Sequence, residues 1–136
     1  MKTAVIYWSG TGNTQAMAQA VAEGAGADLF EVSELDAGAA AQYGALALVC
    51  PAMGAEVLEE SAFEPFFTEL EPHLAGKPVA LFGSYGWGDG QWMRDWADRV
   101  RAAGAQLCAD PVTVNEAPQD SELDECRALG RALAAQ

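Results

Sequence analysis

Residues 9–14, Ser-Gly-Thr-Gly-Asn-Thr, combine the residue types that bind phosphate groups in proteins. They lie between an apolar run at residues 4–8 and a segment with helical periodicity. A buried strand that enters a helix through such a loop directs backbone N–H groups and the positive end of the helix dipole at one point. We therefore predict that a phosphate binds at Ser9, Gly10, Thr11, Gly12, Asn13 and Thr14.

The residues that this loop lacks indicate which kinds of phosphate compound it does not bind. It has no Gly-Lys-Thr/Ser ending, so no lysine would reach a β- or γ-phosphate, and a nucleoside triphosphatase is disfavoured. Counted from Gly10, a dinucleotide fingerprint requires a third glycine at position 15, where the chain has Gln15. The loop offers hydroxyls and an amide without a formal positive charge, which favours the single terminal phosphate of a mononucleotide.

Acidic residues outnumber basic residues by 20 to 7, which gives a net charge of −13. This balance disfavours binding to nucleic acid, whose phosphates would repel the chain. It fits simple solubility and electrostatic steering toward a basic protein surface equally well. The apolar runs are shorter than the roughly 20 residues of a membrane span, so we expect no membrane association. Residues 1–3 lead into the first strand without a signal-peptide core.

Three widely spaced cysteines, Cys50, Cys108 and Cys126, form no C-x-x-C motif and are odd in number. They predict core thiols in a reducing cytoplasm, not a disulfide framework. The single histidine, His73, forms no familiar zinc spacing with them. We therefore expect a cytoplasmic protein without a metal site.

Apolar, β-branched runs alternate with helical patterns along the chain. The predicted strands are residues 3–8, 28–32, 45–50, 79–82 and one within 106–114, with Pro111 at a bulge or edge. The predicted helices are residues 13–24, 63–74, 91–103 and 121–135, and the Ala/Gly-rich stretch 37–47 is weakly specified. Strands without polar alternation indicate a sheet covered on both faces, which is typical of a parallel α/β fold. The length fits one domain, residues 1–136.

Loops at the carboxyl edge of such a sheet form ligand sites, and those after the first, third and fourth strands are unusual in composition. In the last of them, Trp87 lies between two glycines, where no helix or strand periodicity would bury it. A flat ligand stacked on its ring explains this tryptophan better than a core position. Met53 invites the same interpretation, although ordinary packing explains it equally well. Trp8 borders the phosphate loop and is ambiguous. Three other aromatic residues follow the periodicity of their elements and are expected in the core: Tyr7, Trp92 and Trp96.

Three segments in order resemble the short-chain flavodoxins of anaerobic bacteria: Tyr-Trp-Ser-Gly-Thr-Gly-Asn-Thr at 7–14, Ala-Met-Gly at 52–54, and Phe-Gly-Ser-Tyr-Gly-Trp-Gly-Asp-Gly at 82–90. The similarity runs along the whole chain. The long-chain branch of that family carries an insertion in its last strand, for which residues 106–114 have no room. The resemblance implies an α/β, flavodoxin-like, doubly wound five-stranded parallel sheet of order 2-1-3-4-5 with helices on both faces. It also implies FMN as the cofactor.

The resemblance assigns roles around FMN to residues of the three loops. The loop at 9–14 would hold the phosphate, and Trp87 and Met53 would cover the two faces of the isoalloxazine ring. Gly54 would face N5 of the flavin, and Glu56 would meet N3. The remaining residues implied in cofactor binding are Ala52, Ala55, Ser84 and Tyr85, together with Gly86, Gly88 and Asp89, whose backbone would meet the pyrimidine end.

The function implied is a low-potential carrier that passes single electrons between redox enzymes through a flavin semiquinone, with no catalytic residue of its own. The three loops contain no Lys or Arg, and they or their flanks hold Glu56, Glu59, Glu60 and Asp89. These carboxylates would disfavour a further negative charge on the flavin and would steer a monomeric carrier to basic-surfaced redox enzymes in transient complexes. The alternatives are an FMN-dependent NAD(P)H or quinone reductase of the same fold and a non-redox FMN-binding module.

Overall fold

The computed structural model describes residues 2–8, 10, 12–52, 59, 61–86, 88 and 90–136. In chain order the strands and helices are β1 Thr3–Tyr7, α1 Asn13–Ala25, β2 Asp28–Glu31, α2 Ala37–Ala41, β3 Ala45–Val49, α3 Phe63–Leu70, β4 Pro78–Tyr85, α4 Gln91–Ala102, β5 Gln106–Leu107, β6 Val112–Asn115 and α5 Asp120–Ala134. Short 3-10 turns follow β2 at Val32–Glu34 and α3 at Glu71–His73.

All strand pairs of the sheet are parallel, in the order β2-β1-β3-β4-β5, with β6 also paired to β4. This confirms the predicted doubly wound order. The fifth strand is divided, because β5 pairs with the start of β4 and β6 pairs with its end. Between the two pairings, residues 108–111 lie opposite Ala80 and Leu81 alone, which makes a bulge. Pro111 lies in this bulge, as expected of a residue that cannot donate to the ladder.

Helices cover both faces of the sheet, because β1, β3 and β4 are apolar on both sides. Helices α2, α3 and α4 pack on the face that carries Leu46 and Leu48. Helices α1 and α5 pack on the other face, where β3 presents the small side chains of Ala45 and Ala47.

Two glycines allow α1 and α5 to cross in backbone contact. A Cβ atom on Gly24 would lie 2.1 Å from the carbonyl oxygen of Arg127, and one on Gly130 would lie 2.3 Å from that of Val21. Any larger residue at either position would push the helices apart. The pair therefore fixes the position of α1, whose N-terminus adjoins the predicted phosphate loop.

Helix α2 lies in the Ala/Gly-rich stretch 37–47, whose composition did not predict a definite helix or strand. Asp36 caps it by accepting a hydrogen bond from the Ala39 N–H, and the Lys77 ammonium donates to the carbonyl oxygens of Ala41 and Tyr43 at its other end. Because Lys77 is distant from α2 in the sequence, local helix propensity could not predict this stabilisation.

The predicted core positions of the aromatic residues are confirmed for Trp92 and Trp96, each 1% exposed, and in part for Tyr7, which is half-buried. All three cysteines are free thiols. Among the helices that the structure describes, none combines the length and apolarity needed to cross a membrane.

Candidate functional site

A cleft of about 450 Å³ opens at the carboxyl edge of the sheet, where β1, β3, β4 and β6 end. It brings together seven of the predicted site residues: Gly10, Asn13, Thr14, Ala52, Ser84, Tyr85 and Gly86. The other residues that line it are Trp8, Pro51, Glu116 and Ala117. Described residues from each of the three loops that sequence reasoning singled out therefore lie at one cleft.

The N-terminus of α1 forms one end of this cleft. The helix begins at Asn13 after Gly12, which adopts a left-handed conformation with φ of 94°. Gly12 has no side chain to cap the helix, and the first turn contains no acidic residue. The positive end of the helix dipole is therefore not compensated by the protein's own first turn, which suits a bound anion.

Thr14 joins this helix end to the end of β1. Its side-chain hydroxyl donates a hydrogen bond of 2.6 Å to the backbone carbonyl of Trp8, and the residue is 1% exposed. A hydroxyl has one proton, so in this arrangement Thr14 has none left to donate to a phosphate. The structure therefore gives the Thr14 side chain a part in shaping the loop.

The indole ring of Trp8 lies against the backbone of Gly10. A Cβ atom on Gly10 would be 3.1 Å from the edge of that ring, so a larger residue would displace the indole. Trp8, which the sequence left ambiguous, is half-buried, lines the cleft and packs on the core. Trp8 therefore contributes both to the lining of the cleft and to the packing of the core.

Backbone hydrogen bonds fasten two walls of the cleft to the end of β4. The carbonyl oxygen of Ser84 accepts from the Ala52 N–H at 3.0 Å, and that of Tyr85 accepts from the Glu116 N–H at 2.8 Å. The segments that follow β3 and β6 are thereby held on either side of β4. The Tyr85 ring packs against Trp92, with ring centroids 5.6 Å apart, which supports the same strand end from below.

Glu116 is the functional candidate that sequence reasoning missed. It has a φ of 59°, which is uncommon for a residue other than glycine and typical of functional sites. It carries the sole carboxylate in the described lining of the cleft, and its Oε1 atom lies 3.9 Å from the Cβ position of Gly86. It directly follows the carboxyl end of β6, which is the same signal that identified the other loops.

Several predicted site residues are not placed in the cleft. Gly12 and Gly88 are described but do not line it, and Gly88 is exposed with a φ of 87°. The predictions for the following residues lie outside the described part of the chain: Ser9, Thr11, Met53, Gly54, Ala55, Glu56, Trp87 and Asp89.

Glu59, counted above among the acids that flank the flavin loops, is 5% exposed. Its carboxylate accepts hydrogen bonds from the backbone N–H groups of Ser61, Ala62 and Phe63 and from the Ser61 hydroxyl. Although burial favours the neutral acid, these hydrogen bonds hold the pKa of Glu59 below its ordinary value. Glu59 therefore carries a negative charge that the N-terminus of α3 compensates.

Comparison with known sequences decides the family. The sequence model of the flavodoxin family matches residues 5–130. The chain belongs to the flavodoxin family. It is 48% identical to a flavodoxin of Megasphaera elsdenii, over 96% of each chain, and 45% identical to a flavodoxin of Clostridium beijerinckii, over 96% of this chain and 97% of that one. The solution structure of two-electron reduced Megasphaera elsdenii flavodoxin superimposes with a TM-score of 0.85 at 43% identity, covering 98% of this chain and 99% of that chain.

As a flavodoxin, the chain binds FMN and is an electron-transfer protein, not an enzyme. The described residues fit this cofactor. The N-terminus of α1, whose first turn contains no acidic residue, suits its phosphate, and the aromatic wall of Trp8 and Tyr85 suits an apolar ring system. FMN supplies the redox chemistry when it is bound, and the protein supplies binding, orientation and electrostatics.

Proposed function

We propose that the cleft at the carboxyl edge is the FMN site of a one-domain carrier comprising residues 1–136. In this proposal the phosphate binds at residues 9–14, and the flavin ring lies between the loops at 52–56 and 84–89. The observation that carries the proposal is the convergence of seven predicted residues from three loops on one cleft beside the N-terminus of α1.

Comparison of FMN with riboflavin tests the phosphate end of the site, because riboflavin lacks only the phosphate. Charge-assisted hydrogen bonds contribute about 1.5–3 kcal/mol each, so two of them predict that the apoprotein binds FMN at least about 100-fold more tightly than riboflavin. Asn13→Ala should weaken the binding of FMN but leave that of riboflavin unchanged. Equal affinities for the two flavins in the wild type would refute the phosphate assignment.

We also propose that the protein keeps the potential of its flavin low. The described lining of the cleft contains Glu116 and lacks Lys and Arg. A negative charge added to the cleft by reduction would therefore meet a carboxylate without a compensating cation, which disfavours that reduction. A potential of the more negative one-electron couple close to that of free FMN would contradict this part.

We propose that the partners are redox enzymes with basic surfaces. The two lysines, Lys2 and Lys77, directly precede β1 and β4. The last turns of α4 and α5 carry Arg99, Arg101 and Arg131. Much of the positive charge therefore lies at the edge of the sheet opposite the cleft. The first turn of α5, which follows Glu116 at the cleft edge, carries Asp120 and Glu122. Such a charge separation orients the cleft toward a basic surface during approach.

We propose that these contacts are transient, as is usual for electron-transfer complexes. We also propose that the carrier is monomeric and cytoplasmic. The three free thiols support a reducing compartment. Reduction of a basic cytochrome by the reduced protein should slow as ionic strength rises, because screening weakens the steering. A rate independent of salt would refute the partner proposal, and dimers in sedimentation at working concentration would refute the monomer.

Direct use of NADH separates the carrier from the reductase alternative. The holoprotein mixed with NADH should keep its yellow absorbance in the absence of a partner reductase. Rapid bleaching of the flavin would instead favour the reductase.

A further inference from the structure

A second cleft, of about 410 Å³, lies at the side of the sheet that the last strand forms, between α4 and β6. We call it the lateral groove. Its described lining comes from one face of α4 with the preceding Gly90, and from Pro111 and Thr113 on the other side. None of these residues lines the cleft at the carboxyl edge, so the described linings of the two cavities are separate.

The floor of the lateral groove is apolar. Met93 and Ala97 line it and are 3% and 4% exposed, because both side chains belong to the core on that face of the sheet. Pro111, at the end of the bulge that divides the last strand, adds a further apolar surface. An apolar floor with polar groups around it is typical of a binding groove.

Strand β6 forms the outer edge of the sheet beside the groove, because among the described strands it pairs with β4 alone. The Glu116 N–H donates to the Tyr85 carbonyl of β4. Alternate residues of a parallel strand direct their backbone groups to opposite sides, so the N–H and C=O groups of Thr113 point away from β4. Residues 112–115, Val-Thr-Val-Asn, include no proline or charged side chain of the kind that blunts an edge strand. A further strand can therefore pair with this edge.

The sides of the groove carry an excess of positive charge. Arg94 and Arg101 line it together with one carboxylate among the described lining residues, that of Asp98. The ion pair of Arg101 with Asp98, at 3.5 Å, joins side chains that are 57% and 79% exposed, and such pairs contribute little to stability. Arg101 can therefore exchange Asp98 for a carboxylate of a ligand. On a chain with a net charge of −13, this local excess favours an acidic ligand.

The spacing of the two arginines favours an extended ligand over a compact anion. Arg94 and Arg101 are seven residues apart, which is about 10 Å along the axis of α4. They lie at either end of the apolar floor, so a single phosphate would meet one of them. In an extended segment every second side chain lies on the same face, about 7 Å from the next. Two acidic side chains four residues apart can therefore reach both arginines, and the side chain between them meets the floor.

We propose that the lateral groove binds an extended, acidic segment of a partner protein. The segment pairs with the outer edge of β6, directs carboxylates at Arg94 and Arg101, and packs an apolar side chain on Met93 and Ala97. Main-chain pairing supplies affinity, and the groove supplies specificity. This interaction goes beyond the electron-carrier function, because it uses a surface separate from the flavin cleft.

A heptapeptide with this pattern, acetyl-Thr-Glu-Thr-Val-Thr-Glu-Thr-amide, tests the proposal. Titrated into the ¹⁵N-labelled, FMN-loaded protein, it should shift the amide resonances of residues 111–115 and of α4 in a saturable manner. The same peptide N-methylated at every internal peptide bond keeps its charge but loses its backbone donors. Because each hydrogen bond contributes about 0.5–1.5 kcal/mol, the loss of two predicts binding at least about fivefold weaker.

Charge variants test the sides of the groove. Arg101→Glu replaces an attraction by a repulsion and should weaken peptide binding at least about threefold, whereas Asp98→Asn should strengthen it. Arg131→Glu is the matched control, because it makes the same change of net charge at an exposed position in the last turn of α5. It should weaken binding less than twofold. FMN affinity should stay within twofold in all three variants.

Variants at Thr113 test the pairing with β6. Thr113→Pro removes the outward N–H group at a sheet edge, where proline is tolerated, and should weaken peptide binding at least about threefold. Thr113→Val retains that N–H group and should change the binding less than twofold.

Four results would overturn the proposal. They are the absence of saturable shifts in the wild type, equal weakening by Arg101→Glu and Arg131→Glu, equal affinity for the N-methylated peptide, and shifts of the same resonances by inorganic phosphate at equal or lower concentration. The last would identify a simple anion site. Because FMN affinity is measured separately on the same variants, failure of the groove is distinguishable from failure of the flavin site.

Discussion

The Cβ position of Gly83 lies 2.3 Å from the backbone carbonyl oxygen of Cys50. The same position is 2.8 Å from the ring of Trp92, so β4 has no space for a side chain here. Gly83 immediately precedes Ser84, whose carbonyl fastens Ala52 to the wall of the cleft. The absence of one methyl group therefore allows the carboxyl ends of β3 and β4 to lie where the cleft requires them.

We expect Gly83→Ala to destabilise the protein by about 1–3 kcal/mol, because the methyl group overpacks the contact with Cys50 and Trp92. The displaced strand end should also weaken FMN binding, measured by quenching of flavin fluorescence. Gly38→Ala is the control, since Gly38 is exposed in α2 and its Cβ would only reach a side-chain oxygen of Asp36 at 3.4 Å. That variant should be neutral or stabilising by about 0.5–1 kcal/mol.

Removal of the cleft carboxylate should raise the flavin potential. Glu116→Gln eliminates a charge whose interaction with an added negative charge is about 1 kcal/mol at the effective dielectric of a partly exposed site. This corresponds to about 40 mV for one electron. Spectroelectrochemical titration of the holoprotein measures the shift, which should appear in the more negative couple.

Glu116→Gly separates the charge of Glu116 from its backbone conformation. Glycine adopts the observed φ of 59° without penalty, so this variant should be about 1 kcal/mol more stable than Glu116→Gln. Both variants should raise the potential equally. Glu125→Gln, an exposed position on α5, is the control for a change of charge alone. A shift with this control as large as with Glu116→Gln would mean that the effect is a general one of net charge.

The sequence was sufficient for the parts of the fold that follow from local pattern. The burial of Trp92 and Trp96 follows from their spacing on one helical face, and three loops of the cleft follow from the ends of apolar strands. Glu116 was missed because the last strand was predicted only as lying somewhere within 106–114, and the pairing with β4 that fixes its carboxyl end was not visible in the sequence. Likewise, the acidic character of Glu59 was visible, whereas its hydrogen bonds to α3 were not.

Acidic pH should weaken the ion pair between Glu64 of α3 and Arg99 of α4. Partial burial alone would raise the pKa of Glu64, but hydrogen bonds from Arg99 and Thr68 and the charge of Arg99 hold that pKa below its ordinary value of 4.5. The folded state then binds fewer protons than the unfolded state, so this contribution is present above about pH 4.5 and is lost as the pH falls through the folded value.

Denaturant titrations between pH 3 and pH 7 measure this effect. The slope of the unfolding free energy against pH reports how many more protons the unfolded state binds than the folded state, and Glu64 contributes at most about one. In Glu64→Gln the free energy of unfolding should depend less on pH in the acidic range than in the wild type. Glu69→Gln, an exposed position on the same helix, is the control for the loss of one carboxyl group. An identical slope in wild type and Glu64→Gln would show that the ion pair with Arg99 does not stabilise the fold.

The two buried tryptophans of α4 should respond differently to replacement by phenylalanine. The Trp96 indole N–H is buried without a hydrogen-bond partner among the described residues, whereas that of Trp92 donates to the Cys50 carbonyl at 3.4 Å. Trp96→Phe removes an unsatisfied donor, which offsets part of the cost of the smaller ring between Phe63 and Phe67. Trp92→Phe loses a satisfied donor, so it should destabilise the protein by about 1 kcal/mol more in denaturant titrations. Equal losses would show that the Trp96 N–H has no net cost.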